Sequence, residues 1–406
     1  MSTSTIERAA APLAIPGIRL STLAAGIRKT GRADTVLIEI APQSTVGGVF
    51  TLNVFCAAPV EIARRHLASA APRLLVINSG NANAGTGAQG QHDALEVCAA
   101  AAASLGCAVE AVLPFSTGVI GQRLPAEKMI AAMPGAVARL VDDGWSAAAQ
   151  GIMTTDTVPK CVSLTVASGG ARYRVTGIAK GAGMIKPNMA TMLAFIATDA
   201  AVEREALQTL TRQLADRSFN RITIDGDTST NDSCVLIATG RAGGPPLTPA
   251  HADWPAFAEG VAVVFTELAR AIVRDGEGAT KLVTVAVSGG HSEQDCLRAA
   301  YAVAESPLVK TALFAADPNW GRILAAVGRS GVPDLRIAEI DIRIGEVPIV
   351  RGGEPVQGYD ESAVAAVMKT AEYEIGIAIG RGSARCAVLT CDFSFDYVKI
   401  NAEYRS

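Results

Sequence analysis

The feature that most narrows the fold is an alternation of two kinds of apolar segment along the 406 residues. One kind is short and rich in β-branched residues, as at 35–40 (TVLIEI), 161–166 (CVSLTV), 192–198 (MLAFIAT) and 234–239 (CVLIAT). Runs of that length between turn residues read as strands. The other kind is longer and carries apolar residues at helical spacing, at 92–105, 126–140, 203–219, 254–274 and 293–305. Gly106 stands where a helix stop is expected, and Pro134 implies a kink inside the second of these helices. Further strands are expected at 48–55, 73–77, 173–178, 221–224 and 282–287. From 335 to 391 strands dominate, with one helix at 362–370. The GGPPLTP stretch at 243–249 can continue neither element and reads as a surface connection. Strands and helices alternating in this way indicate a mixed α/β class.

Composition excludes several function classes. With 49% hydrophobic and 18% charged residues, the chain can bury a large core and is not a disordered segment. A net charge of −3 argues against nucleic acid as the main partner. The first twenty residues show no basic start followed by a long apolar stretch, so no secretory leader is expected. The Ala-rich run at 97–103 is too short for a membrane span, and no membrane partner is expected. Eight cysteines are scattered without a CxxC pair, which fits a reduced, cytoplasmic chain. The four histidines (His66, His92, His251, His291) lie far apart and outside any HExxH motif, so no metal site is expected.

Chemistry concentrates in a few motifs. Thr191 follows a small alanine, Ala190, and precedes an apolar run. A threonine hydroxyl alone is no nucleophile at neutral pH. If the peptide bond before it breaks, the same residue gains an α-amine of pKa about 7.7–8.0, suited to act as its general base. Read from the residues alone, a β-former opening a strand is the better account of Thr191. Ser116-Thr117-Gly118 follows a strand-like stretch, and its glycine would let a backbone amide approach a ligand closely, but on the residues alone a simple turn is the better reading. Gly85–Gly90 fits GxGxxG, with Glu110 twenty residues further on. In a dinucleotide fold those glycines follow the strand at once. Here 78–84 intervene, so a tight hydrogen-bonding turn is the better reading than a nicotinamide enzyme. The loop bearing Asp225, Asp227 and Asp232 lacks the Gly and Glu of a calcium loop and reads as structural, or as positioning water or Thr191.

Several blocks in order along the chain carry a resemblance. They are Asn78-Ser-Gly-Asn-Ala-Asn-Ala84, Ser116-Thr-Gly-Val-Ile-Gly121, Met153-Thr-Thr-Asp156, Lys180-Gly-Ala-Gly-Met184, Pro187-Asn-Met-Ala-Thr-Met-Leu193, Asp225-Gly-Asp-Thr-Ser-Thr-Asn-Asp232, Asp275-Gly-Glu-Gly-Ala-Thr-Lys281 and Asp317-Pro-Asn-Trp-Gly-Arg322. Together they resemble the ornithine acetyltransferases, also called glutamate N-acetyltransferases, of arginine biosynthesis. The resemblance implies a layered α/β/β/α sandwich with a smaller C-terminal α/β unit at about 282–406. It implies self-cleavage between Ala190 and Thr191, dividing the chain into 1–190 and 191–406. Thr191 would be the nucleophile, with Thr117 and Gly118 forming the oxyanion hole. Thr154 or Thr155 (Thr155 favoured), Lys180, Thr191, Glu277, Asn401 and Ser406 would contact substrate. The substrates implied are N2-acetylornithine and glutamate, with acetyl-CoA a co-substrate in some members, no metal or cofactor, and cleaved chains associating two of each. The Asp317–Arg322 block receives no role beyond shaping the site. Three competing readings stay open: a self-cleaving aminopeptidase or amidase of the same fold, a non-catalytic binding module, and the dehydrogenase.

Overall fold

A computed structural model describes residues 4–28, 31–186 and 192–403. They gather into two compact units. The first comprises the described residues of 1–181, 187–220 and 228–272, the second those of 182–186, 221–227 and 273–406.

In chain order the first unit contains β1 (Thr5–Arg8), β2 (Ile18–Leu23), β3 (Thr35–Ile40), β4 (Thr45–Phe50), α1 (Ala58–Ser69), β5 (Leu74–Asn81), α2 (Gly87–Leu105), β6 (Val112–Val119), α3 (Ala126–Ala138) and α4 (Trp145–Gly151). It continues with β7 (Lys160–Ser168), β8 (Ala171–Lys180), β9 (Leu193–Thr198), α5 (Arg204–Arg217), β10 (Ser233–Ala238) and α6 (Trp254–Arg274, all but its last two residues). One sheet runs in the order β2-β3-β5-β6, the other β1-β7-β8-β9-β10-β4. The pairs β5–β6 and β9–β10 are parallel; the other ladders are antiparallel.

The two-residue period of the strands decides the layering. On β3, Val36, Ile38 and Ile40 enter one core while Leu37 enters another. On β5, Leu75 and Ile77 join the first core, and Leu74 and Val76 the second. Leu193, Phe195 and Ala197 of β9 and Val235 and Ile237 of β10 also reach the first core, so it fills the space between the sheets. The second core is closed by Val97 and Cys98 of α2 and Met129 and Met133 of α3. On the far side α6 covers the larger sheet: a Cβ added at Gly177 would lie 2.9 Å from Val264 and 3.0 Å from Leu268. The order is helix, sheet, sheet, helix, the expected α/β/β/α sandwich. Strands β9 and β10 are buried along their whole length, which accounts for their lack of polar alternation.

The second unit contains β11 (Leu282–Gly290), α7 (Glu293–Ala304), α8 (Pro307–Ala315), α9 (Trp320–Gly328), β12 (Asp341–Ile344), β13 (Val347–Arg351), β14 (Glu354–Pro355), α10 (Glu361–Met368), β15 (Glu372–Ala378), β16 (Ala384–Cys391) and α11 (Phe395–Ala402). Its sheet runs β14-β13-β12-β15-β11-β16. Val283, Val285, Ile375 and Val388 pack against Ala299 and Val303 of α7 and Ile323 and Val327 of α9. Side chains of Ser292, Ser306, Asn319 and Asp360 accept amide hydrogens at the starts of α7, α8, α9 and α10.

Two local expectations are corrected. The strand expected at 48–55 is Thr45–Phe50, because the Asn53 side chain accepts the Phe55 amide at 2.9 Å and turns the chain. At 221–224 there is one bridge, Ile222 to Leu389, in place of a strand. The helix expected at 126–140 forms as α3, with Pro134 inside it. The expected strand-dominated tail is preceded by two helices, α8 and α9, that composition did not reveal. Among the described residues no helix is long and apolar enough to cross a membrane.

The sheet-to-sheet core includes an edge-on pair, Phe115 of β6 and Phe195 of β9, with ring centroids 5.0 Å apart. Phe195 is fully buried. Phe195→Ala should therefore lower unfolding free energy by about 3–5 kcal/mol, the usual cost of emptying such a site. Urea denaturation of the two proteins measures it.

Candidate active site

Two polar groups of the first unit meet because alternation along their strands continues past the apolar core. Phe115 on β6 and Ile178 on β8 both enter the space between the sheets. Two residues further along, on the same faces, stand Thr117 and Lys180. Lys180 Nζ donates to Thr117 Oγ1 at 3.0 Å, and each residue is buried. The end of β8 is held on both sides, by β7 and by β9, where Lys180 pairs with Leu193.

Gly118 follows Thr117 where the β5–β6 ladder shifts register. Its φ is +135°, and an added Cβ would lie 2.3 Å from the Gly80 carbonyl carbon and 2.6 Å from the Asn81 nitrogen. No side chain fits there, and the backbone conformation is itself one that glycine alone adopts readily. The neighbouring Asn/Gly loop is knit together by its own Asn78 side chain and by those of Ser116 and Asn231. Ser116 Oγ donates to Asn78 Oδ1 at 2.5 Å, Asn78 Nδ2 to the Asn81 carbonyl at 2.8 Å, and Asn231 Nδ2 to the Ala82 carbonyl at 2.6 Å. The GxGxxG segment has the same character. Thr86 Oγ1 donates to Asn83 Oδ1 at 2.8 Å, and a Cβ at Gly90 would collide with that threonine hydroxyl at 1.9 Å. Its polar groups serve the turn.

Asp156, the last residue of the Met-Thr-Thr-Asp block, is the charged centre beneath these groups. Its carboxylate accepts from Lys160 Nζ at 2.6 Å, from the Gly181 amide at 2.7 Å and from the Thr154 amide at 2.9 Å. Burial would push this carboxyl up. The ammoniums of Lys180 and Lys160 and the Gly181 amide outweigh it and hold the pKa at about 2, below the ordinary 3.8. Thr154 and Thr155 lie half-buried in the loop that Asp156 pins.

In the second unit Glu277 is buried, and its amide donates to the Ala182 carbonyl at 2.8 Å. A Cβ at Gly183 would come within 2.4 Å of the Glu277 carboxyl carbon, so the glycine leaves room for the carboxylate. Asn401 Nδ2 donates to Glu277 Oε2 at 2.8 Å and to the Tyr397 carbonyl at 3.0 Å. Helix α11, which buries none of its own residues, is thereby tied to Glu277. Its first turn is held too: Tyr397 stacks on Phe393 at 4.5 Å, and the fully buried Lys310 ammonium lies 4.5 Å from the other ring centroid of that pair, Phe393. Asp225 accepts the amides of Met184 at 2.5 Å and Ile185 at 2.8 Å, so it holds the segment that leads towards residue 191.

A family model for ArgJ matches residues 19–406. The chain belongs to the ArgJ family. It is 54% identical over 393 residues to the arginine biosynthesis bifunctional protein ArgJ of Psychrobacter arcticus, covering 97% of each chain. It is 53% identical over 392 residues to the protein of the same name from Methylococcus capsulatus, covering 97% of this chain and 96% of that one. Among solved structures it is similar to the arginine biosynthesis bifunctional protein ArgJ of Bacillus halodurans, with a TM-score of 0.51 and 41% identity over 53% of this chain and 100% of that one.

The residues singled out in the sequence fall into clear groups. Thr117, Gly118 and Lys180 are brought together, and Thr154 and Thr155 sit in the loop fixed by Asp156. Glu277 and Asn401 are hydrogen-bonded to each other in the second unit. Ala190, Thr191 and Ser406 lie outside the described residues. Lys180, read as a partner for a substrate carboxylate, donates to the Thr117 hydroxyl as one of its contacts in the fold. Asp156 and Lys160 were not anticipated as site residues: a lone Asp in a Thr-rich block carries no mark of burial.

Because the folded pKa of Asp156 lies below its ordinary value, its contribution is complete above about pH 4 and is lost as pH falls towards 2. That contribution is about 2 kcal/mol. Thermal melts between pH 5 and 2 should show a stability loss in the native protein that is reduced in Asp156→Asn.

Proposed function

We propose that this ArgJ-family chain is an acyltransferase of arginine biosynthesis that moves an acetyl group from N2-acetylornithine to glutamate through an acetyl ester on Thr191. The observation that carries this reading is the end-to-end match, 54% identical over 97% of both chains, to a protein named for arginine biosynthesis.

In maturation the Thr191 hydroxyl attacks the Ala190 carbonyl, the acyl group shifts from nitrogen to oxygen, and water hydrolyses the ester. Chains of 190 and 216 residues result. The whole of the matched Bacillus halodurans chain covers 53% of this one, the share that 216 of 406 residues make up, which supports the division.

In turnover the Thr191 α-amine takes the hydroxyl proton, and the oxygen attacks the acetyl carbonyl. The Thr117 hydroxyl and the Gly118 amide stabilise the oxyanion. The C–N bond breaks, and ornithine leaves with the proton. The glutamate amine then attacks the acetyl-threonine, restoring the free hydroxyl. Glu277, kept in place by Asn401, offers its charge to a substrate ammonium, Lys180 offers its charge to a substrate carboxylate, and Thr154 or Thr155, Asn401 and Ser406 complete the contacts. An amide of an α-amine is broken and another is formed, so the exchange is near thermoneutral and reversible. These steps use groups of the chain alone. Acetyl-CoA is the second acetyl donor that the resemblance implies for some members of the family. The cleaved chains associate two of each and work in the cytoplasm.

A denaturing gel with N-terminal sequencing tests the first stage. Two fragments are expected, the larger beginning Thr-Met-Leu-Ala, with Thr191→Ala remaining a single chain. A single uncleaved chain with full activity would return Thr191 to an ordinary strand residue. For the second stage, Thr117→Ala should reduce kcat for acetyl transfer from N2-acetylornithine to glutamate about 10²–10³-fold.

A further inference from the structure

Thr117 can stabilise an oxyanion through its hydroxyl only if the hydroxyl proton points at that oxyanion. A free threonine hydroxyl turns to whichever neighbour accepts best, and a proton aimed elsewhere is no help to the transition state. The fold removes that freedom. An ammonium has donors and no acceptor. Lys180 Nζ, 3.0 Å from Thr117 Oγ1, therefore occupies the oxygen's acceptor side and leaves the hydroxyl to donate in another direction. A charge-assisted bond received by a hydroxyl also strengthens the bond that it donates. Lys180 thus has chemistry to do at Thr117 apart from any contact with substrate.

This works only while the ammonium stays where it is, and burying a lysine is costly without a counter-charge. The Asp156 carboxylate attracts the Lys180 ammonium electrostatically and also fixes the backbone that carries it. The same carboxylate accepts the amide of Gly181, the residue after Lys180, at 2.7 Å, and the amide of Thr154 at 2.9 Å. Lys160 Nζ binds the carboxylate at 2.6 Å from the start of β7, the strand paired with β8. With side chains of Asp156 and Lys160 at 0% and 1% exposure, water does not compete for these bonds.

We propose that Asp156, braced by Lys160, is a positioning residue of the oxyanion hole: it holds the Lys180 ammonium against Thr117 Oγ1 and so aims the Thr117 hydroxyl proton at the developing oxyanion. The inference rests on the acetyl-transfer reading above and adds two residues to its machinery. A purely structural Asp156 would support folding, and its loss would lower stability without any coupling to the Thr117 hydroxyl.

A double-mutant cycle on the full chain separates the two. Asp156→Asn should lower kcat about 10- to 100-fold and leave KM for N2-acetylornithine and glutamate within about twofold. In a Thr117→Ala background, where there is no hydroxyl to aim, Asp156→Asn should cost less than about twofold more. Equal losses in both backgrounds would overturn the proposal. If Asp156→Asn does not fold, Lys160→Met, which weakens the brace and keeps the carboxylate, is put through the same cycle with the same criterion. A second reading needs no turnover. In a 15N-lysine NMR spectrum of the protein, the Lys180 Nζ resonance should shift in both Thr117→Ala and Lys160→Met. An unmoved resonance in Thr117→Ala would overturn the contact itself. Absence of acetyl transfer in the unsubstituted chain, with the resonance shifts present, would count against the acetyl-transfer reading and leave the positioning contact standing.

Discussion

The space between the two sheets of the first unit governs most of what this chain can do. Both sheets send every second side chain into it, and for most of their length those side chains are apolar. The same geometry that seats Phe115 and Ile178 in the core seats Thr117 and Lys180 beyond them. A hydroxyl and an ammonium from different sheets then meet where burial makes their bond stronger than it would be in water. Packing and chemistry here follow from one rule of strand geometry.

That arrangement places charge in a poor solvent for charge, and Asp156 is how the fold manages it. The carboxylate takes a hydrogen bond from an ammonium and two from backbone amides, and its ionised form is favoured despite burial. Each bond also does positional work, since the amides belong to the Thr154 loop and to the end of β8. In the second unit Glu277 is accommodated by different means. Gly183 leaves space for the carboxylate, and Asn401 reaches it from a helix that buries none of its own residues. That helix depends on polar and stacking contacts, among them the Phe393–Tyr397 pair over the buried Lys310.

Much of the fold was legible in the sequence, and the misses have identifiable causes. Strands β3, β9 and β10 were readable because each is a short apolar run bounded by turn residues. The strand expected at 48–55 ended early because the Asn53 side chain captured a backbone amide, which apolar periodicity does not register. Helices α8 and α9 are nine residues each, too short for a helical period to stand out, and their serine and asparagine caps became meaningful once the helices were seen. The Gly85–Gly90 motif had the right spacing for a phosphate loop, yet its side chains and glycines serve a turn.

The sequence by itself determined the class of the fold, the family blocks and the residue types available for acyl transfer: a threonine after alanine, a Ser-Thr-Gly turn, and an acid between glycines. These are local properties, set by spacing and composition within a few residues. Only the tertiary structure decided that Lys180 faces the Thr117 hydroxyl, that Gly118 lies too close to Gly80 for any side chain, and that Asp156 is the buried ion holding this corner together. The physical reason is sequence separation. Thr117 and Lys180 are 63 residues apart, and Asp156 and Gly181 are 25 apart. Sheet pairing brings such groups together, and burial then determines whether a charged side chain is solvated at the surface or becomes part of the site.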